Sequence, residues 1–253
     1  QMSAGALPHR FRLAAEDLNA LIDKTRFAIS NEETRFYLNG IYVHAAKDKK
    51  PCLRAVATDG HRLARYELEL PDGAADMPGV IVPRKTVAEL RRLLEDAEGA
   101  IDIALSDTKI QFSFEGVELT SKLIDGSFPD YQRVIPTGND KSLTVDAKEF
   151  SQAVDRVSTI SADKTRAVKL NLSSDKVTLS VVNPESGTAT EELGANYSAD
   201  GIEMGFNARY LLDITGQIVG RDARFLLADA GSPTLIEDTE DGRTLYVLMP
   251  MRV

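Results

Sequence analysis

A single cysteine, Cys52, stands in a chain of 253 residues. It excludes an internal disulfide and any thiolate-rich zinc site, and it fits a reducing cytoplasm. Histidine is almost as scarce: His9, His44 and His61 show no metal-ligand spacing. No window approaches the roughly 18 uninterrupted apolar residues that a membrane-spanning helix needs. Gln1 to Arg10 lack the basic-then-apolar order of an export signal. The loops that announce common chemistries are missing too: no G-x-S-x-G elbow, no G-x-x-x-x-G-K-[ST] phosphate loop, no H-E-x-x-H helix, no G-x-G-x-x-G turn. No metal or other cofactor is expected.

Basic charge is also in short supply. Thirty Lys and Arg face 39 Asp and Glu, a net charge of -9. Tight phosphate binding draws on concentrated cations that release counterions, so the charge argues against a conventional groove-reading protein without deciding the matter. What is present is enough apolar material, 43% of residues, to bury a real core, in a length that suits two domains.

The chain reads as one unit used twice. Leu18, Leu21, Ile22, Thr25 and Ile29 recur at three- and four-residue steps and predict an amphipathic helix between Leu13 and Ser30. Alternating runs follow at Arg35 to His44 and Leu53 to Leu68. A strand from Gly79 to Val82 then leads into a second helical stripe at Val87, Leu90 and Leu94. Ile101, Ile103 and Leu105, then Ile110, Phe112 and Phe114, alternate across the Ser106-Asp107 turn, and Gly116 opens a run to Leu123. The second half repeats the order: a helix at Phe150, Val154 and Val157, a hairpin at Leu170 to Val181, a helix at Leu211, Ile214 and Ile218. GVIVPRKTVAELRRLL from Gly79 lines up with EMGFNARYLLDITGQI from Glu203, which is the mark of an internal duplication. Each copy is expected to be an α+β unit with two helices on antiparallel sheet. Turn formers cluster at Pro136 to Asn139, so the expected domains are 11–136 and 137–253, with 1–10 a loose connection.

Two segments stand out chemically. ATDGHRLARY, Ala57 to Tyr66, contains Asp59 and His61, which in an enzyme would be candidates for hydrolase or transferase chemistry. A structural histidine is the other reading. LYVLMPMRV closes the chain and puts Met249, Pro250 and Met251 at the end of an apolar strand. Either this is the last core strand, or its soft, unbranched methionines serve a groove that accepts different apolar peptides.

ATDGHRLA, FYLNG (Phe36 to Gly40), VIVPRK (Val80 to Lys85), TSKLIDGSFPDYQRVIP (Thr120 to Pro136) and VLMPMRV together resemble, in order and spacing, the bacterial beta subunit of DNA polymerase III, the sliding-clamp family. The resemblance spans nearly the whole chain. It implies the DNA clamp fold and a non-enzymatic processivity factor whose three similar domains close head to tail into a homodimeric ring around duplex DNA. This chain would hold the second and third, and Gln1 to Arg10 would be the linker from the first. A ring holds DNA by topology, so weak, sequence-independent phosphate contacts suffice and an acidic exterior is no obstacle. A chain without the first domain is expected not to close.

The resemblance also implies a pocket that receives short peptides of polymerases and of the clamp loader: a glutamine, an apolar residue, often a closing leucine-phenylalanine. Its matching residues are Leu38, Thr58, Gly60, His61, Arg62, Leu63, Pro129, Arg133 and Val134 from the first half. The second half supplies Asn207, Tyr210, Val247, Met249, Pro250, Met251 and Arg252, with Gly231 and Pro233 on a nearby turn. Leu38, Leu63, Val134, Val247 and Met249 can form an apolar floor, and His61, Arg62, Asn207 and Arg252 can hold polar groups. Thr165 replaces a large aromatic of some members, and Gly231 with Pro233 replaces bulkier or hydroxylated residues, changes expected to alter peptide preference. For DNA, Arg35, Phe36 and Tyr37 match a family loop that touches the duplex. Lys24, Arg84 and Lys85 either face the hole or form a solvated face. Glu32 puts a negative charge beside that loop.

Overall fold

The computed structural model describes residues 5–161 and 166–253. The chain divides into two units, Gln1–Pro129 and Asp130–Val253.

In the first unit the order is β1 (His9–Ala14), α1 (Ala15–Asp23), β2 (Gly40–Ala46), β3 (Cys52–Thr58), β4 (Arg62–Glu69), β5 (Val80–Pro83), α2 (Arg84–Leu93), β6 (Ala100–Leu105), β7 (Lys109–Phe114) and β8 (Val117–Lys122). These strands make two antiparallel sheets, β1-β6-β7-β8 and β5-β2-β3-β4. In β7 the alternation Ile110, Phe112, Phe114 buries every second side chain, which is what a period of two does when one face meets a core. Leu18, Leu21 and Ile22 of α1 and Val87 and Leu90 of α2 close over the apolar side chains of β1, β2, β3, β5, β6 and β7. Arg91 Nε donates to Asp23 Oδ1 at 2.7 Å and ties the two helices together.

The second unit repeats the plan: β9 (Lys141–Asp146), α3 (Ala147–Ser158), β10 (Ala167–Ser173), β11 (Lys176–Asn183), β12 (Gly187–Gly194), β13 (Asn196–Tyr197), β14 (Ile202–Asn207), α4 (Ala208–Thr215), β15 (Asp222–Leu227), β16 (Thr234–Asp238) and β17 (Asp241–Leu248). Its sheets run β14-β10-β11-β12 and β13-β9-β15-β16-β17. Phe150 of α3 is fully buried, with its ring 5.2 Å from that of Phe225 on β15. Truncating Phe150 to alanine would cost about 3–5 kcal/mol.

The duplication extends to single hydrogen bonds. Each first helix of a unit follows a strand without a loop, and its first amide donates to the residue just before the neighbouring strand: Ala15 N to Gly99 O at 2.8 Å, Ala147 N to Arg221 O at 2.9 Å. The second helices do the same, Arg84 N to Asn39 O and Ala208 N to Arg166 O, both at 2.9 Å. The copies differ in capping. Asp146 accepts from Glu149 N and Asn207 accepts from Arg209 N, whereas Ala14 and Pro83 offer no side chain to their helices.

Several expected elements are redrawn. Each unit carries two sheets, where one was expected. Leu13 is in a strand, and α1 ends at Asp23 instead of running on to Ile29. Past that end Thr25 Oγ1 donates to Leu21 O at 2.7 Å and Thr25 itself leaves helical geometry, with a 3-10 turn over Arg26–Ala28. The run from Arg35 to His44 is not one strand: Glu33–Leu38 is 3-10 helical, with Leu38 turned into the core, and β2 starts only at Gly40.

Candidate functional site

In the first unit the segment Thr58 to Leu63 is the tight link between β3 and β4. Gly60 has φ +89, a conformation that L side chains rarely adopt. Asp59 builds the turn: its Oδ1 accepts from His61 N at 2.9 Å and Arg62 N at 3.1 Å, and its Oδ2 pairs with Arg62 Nε at 3.2 Å. Thr58 Oγ1 donates to Arg62 O at 2.7 Å and accepts from Gly60 N. Arg62 is held further by Phe27, donating to its carbonyl at 2.7 Å and stacking 5.2 Å from its ring centroid. The result is a rigid turn that presents an exposed His61 and keeps Leu63 buried. Leu38 is buried and Pro129 exposed.

The same turn is braced by the segment before β2. Arg35 donates from Nε and Nη2 to the two carboxylate oxygens of Glu32, both at 2.8 Å, and from Nη2 to the carbonyl of Asp59 at 3.1 Å. Those hydrogen bonds hold the Glu32 carboxyl below its usual range. Phe36 is 51% exposed and meets Tyr37 edge-on at 5.7 Å. Arg84 Nη1 donates to Asn31 Oδ1, so the exposed Arg84 and Lys85 at the start of α2 join Arg35, Phe36 and Tyr37 on one part of the unit. Lys24 does not belong with them. It is the residue after α1 and only 9% of it is exposed, and on that burial it leaves the set of candidate phosphate contacts.

In the second unit the strand β17 is buried from Thr244 to Leu248, and Met249, the next residue, is 40% exposed. Thr234 pairs with Leu248, which puts Pro233 and Met249 at the same end of the β16-β17 hairpin. Asp229 shapes the turn before it, accepting from Gly231 N at 2.9 Å and Ser232 Oγ at 2.8 Å, bonds that lower its own pKa. Beyond Pro250 the chain is fixed by Met251 N, which donates to Gly205 O at 2.7 Å. Two residues on, Asn207 caps α4 and so positions Tyr210 one turn into it. Arg133 and Val134 lie exposed on the 3-10 turn Tyr131–Val134, with Arg133 Nε 2.9 Å from Asp130 Oδ2. Asn207 thus lies two residues from the Gly205 that holds Met251, and Pro233 at the hairpin end that carries Met249, while Val247 is buried in the strand and Arg252 exposed. Thr165 lies outside the described residues.

Sequence reasoning did not single out Asp229 and Gly205, and it weighed Asp59 only as a catalytic candidate. For the two aspartates a signal was there, since an Asp at the head of a glycine-containing turn, able to accept from the amide two residues on, is the mark of an Asx turn. Gly205 carried none. Among the described residues no group of three or more His, Cys, Asp and Glu side chains could hold a metal ion, and no helix is long and apolar enough to cross a membrane.

A repeated α+β unit, with two helices laid over paired antiparallel sheets and exposed apolar residues at strand ends, is the architecture of a DNA sliding clamp. Residues 12–130 match the family of the DNA polymerase III beta subunit, central domain, and residues 132–252 match the C-terminal domain of the same subunit. Among curated proteins, the beta sliding clamp of Caulobacter vibrioides is 55% identical over all 253 residues, which span 68% of that protein. The beta sliding clamp of Pseudomonas aeruginosa is 40% identical over 96% of the chain and 65% of its own length. Among solved structures, a sliding clamp from Bartonella birtlesii bound to griselimycin superposes with a TM-score of 0.97 at 54% identity, and a beta sliding clamp of C. crescentus with 0.98 at 55%; each match covers 100% of this chain and 68% of the other. The chain belongs to the DNA polymerase III beta subunit family, the bacterial beta sliding clamps.

Proposed function

We propose that these two units work within a homodimeric ring around duplex DNA, in the cytoplasm, and tether replicative and other DNA polymerases and the clamp loader to it without catalysing a reaction. Docking falls to two sets of side chains. One is Leu38, Thr58, Gly60, His61, Arg62, Leu63 and Pro129 on the first unit. The other is Arg133, Val134, Asn207, Tyr210, Gly231, Pro233, Val247, Met249, Pro250, Met251 and Arg252 on the second. Both receive short linear peptides that pair a glutamine with apolar residues. The observation that carries this reading is Met249, exposed directly after five consecutive buried strand residues, Thr244 to Leu248. A strand finishing inside a core would not leave a flexible apolar side chain in water, and an apolar side chain in water is what a peptide groove needs.

Catalysis by Asp59 and His61 is disfavoured by the use to which Asp59 is put. Both of its carboxylate oxygens are spent on the turn, and His61 is exposed where a general base is enclosed with its nucleophile. DNA is met by Arg35, Phe36, Tyr37, Arg84 and Lys85 through phosphate and stacking contacts that do not read sequence. The test is polymerase processivity on primed circular DNA with a clamp that contains these units, beside one carrying Met249→Ala with Met251→Ala. Long products from the first and short ones from the second support the reading. Equal product lengths contradict it.

A further inference from the structure

Arg35 belongs to two structures at once. By sequence it sits in the segment whose Phe36 and Tyr37 are proposed to meet DNA, and by contact it braces the β3-β4 turn proposed to meet peptides. Its Nε and Nη2 are taken by Glu32, its Nη2 also by the carbonyl of Asp59, and its Nη1 lies 2.7 Å from where a side chain on Gly60 would begin. The guanidinium therefore fills the space that Gly60 leaves vacant. Glu32 occupies the fork with the geometry that a phosphate would use, two oxygens against two parallel N–H groups. Its side chain and that of Arg35 are both partly exposed, 51% and 34%, so a phosphate can reach the pair. Arg84 and Lys85 stand on the same part of the unit and add to the pull on a polyanion.

We infer that Arg35 is a positioning residue shared by the two binding functions, and that duplex DNA and the docked peptide are negatively coupled through it. This rests on the proposed peptide and DNA surfaces. In the DNA-free state Glu32 stores Arg35 over Gly60, where it holds the Asp59 carbonyl and stiffens the turn that carries His61 and Arg62. A DNA phosphate competes with the Glu32 carboxylate for the fork, and the polyanion also repels Glu32. As Arg35 turns to the phosphate, the Asp59 carbonyl loses its partner, and the amides of His61 and Arg62, held by the same residue's side chain, open more readily. The turn then binds peptide less well, and by reciprocity a docked peptide loosens DNA.

The test uses the 253-residue chain at low ionic strength, with a fluorescent Gln-Leu-x-Leu-Phe peptide and a blunt duplex of about 10 base pairs, one helical turn. Saturating duplex is expected to weaken peptide binding about fivefold, the lower end of ordinary coupling. Duplex alone is expected to speed hydrogen exchange at the amides of His61 and Arg62. Arg35→Lys separates this from simple blocking, because lysine keeps the charge for phosphate and cannot make the fork. It should bind both duplex and peptide more weakly than the parent, and show no further loss of peptide when duplex is brought to saturation. Glu32→Gln should bind duplex more tightly and keep the folded turn. The inference is overturned if both ligands bind the parent chain and peptide affinity is the same with and without duplex. It is equally overturned if Arg35→Lys loses peptide on adding duplex as strongly as the parent does. A folded chain that binds no peptide, or no duplex, removes the corresponding surface reading and this coupling with it.

Discussion

The amide of Met251 donates to the carbonyl of Gly205 at 2.7 Å, and that single bond fixes the terminal residues of the chain against β14. Gly205 is buried, and a side chain there would begin 2.4 Å from Val253 Cγ1 and 2.8 Å from the Met251 carbonyl. The tail and the strand can be this close only because one partner has no Cβ.

Gly205→Ala is therefore expected to push the tail off β14 and weaken peptide binding about tenfold, about 1.4 kcal/mol, while thermal unfolding changes little because the displaced residues are terminal. Peptide titration beside a melting curve checks both halves. An alanine variant that binds as the parent does would show that the tail's position is irrelevant to docking.

Gly60→Ala meets two obstacles at once, a φ of +89 and the Arg35 guanidinium 2.7 Å from the new carbon. The backbone strain is about 1–3 kcal/mol, readable as a lower urea midpoint with an unchanged slope. Pairing it with Arg35→Ala should recover part of the loss by vacating the space, and a strictly additive double variant would contradict the described contact.

Burial lowers the pKa of His44, which stacks on Tyr42 with ring centroids 4.8 Å apart. The unfolded chain then binds this proton at higher pH than the folded one, so stability is fully present above the ordinary histidine pKa, about 6.5, and falls as pH drops from there towards the lowered folded value. Urea unfolding at a series of pH values should show that slope, and His44→Gln should flatten it. A slope unchanged in the variant assigns the effect to other groups.

Arg54 is 5% exposed in its side chain and pairs with Asp48 at 2.6 Å and Glu67 at 3.0 Å, away from the residues proposed to dock peptides. Removing it leaves Glu67, which is itself partly buried, with Arg65 at 3.2 Å as a remaining partner, and Arg54→Ala should cost about 1.5–3 kcal/mol in lost charged hydrogen bonds. Peptide affinity in the fraction that remains folded should be unaffected. A parallel loss of affinity would mean that docking reports general stability and not the two named sets of side chains.

How much of this was written in the sequence depends on what kind of contact was involved. Helix faces such as Leu18, Leu21 and Ile22, and strands such as Ile110, Phe112 and Phe114, declare themselves because burial follows a fixed period. The edge strand β12, GTATEELG, has no buried face, so no period marks it and only its pairing with β11 makes it a strand. β1 was hidden for the opposite reason: Phe11 and Leu13 are too few to announce six residues, and the helical stripe that follows overran them. Among site residues, the Asp59-Gly60 turn is visible as a local motif. The bracing contact of Arg35 is not, since its partner carbonyl lies 24 residues away and a charge run does not say which charge is spoken for.

The central claim is that exposed side chains around Met249 dock partner peptides, and the most direct measurement is titration of a fluorescent Gln-Leu-x-Leu-Phe peptide into this chain with Met249→Ala and Arg133→Ala alongside. Saturable binding of micromolar order, about 8 kcal/mol, weakened in both variants, is the predicted result. Binding undiminished in both, or none to a chain shown to be folded, would contradict the account.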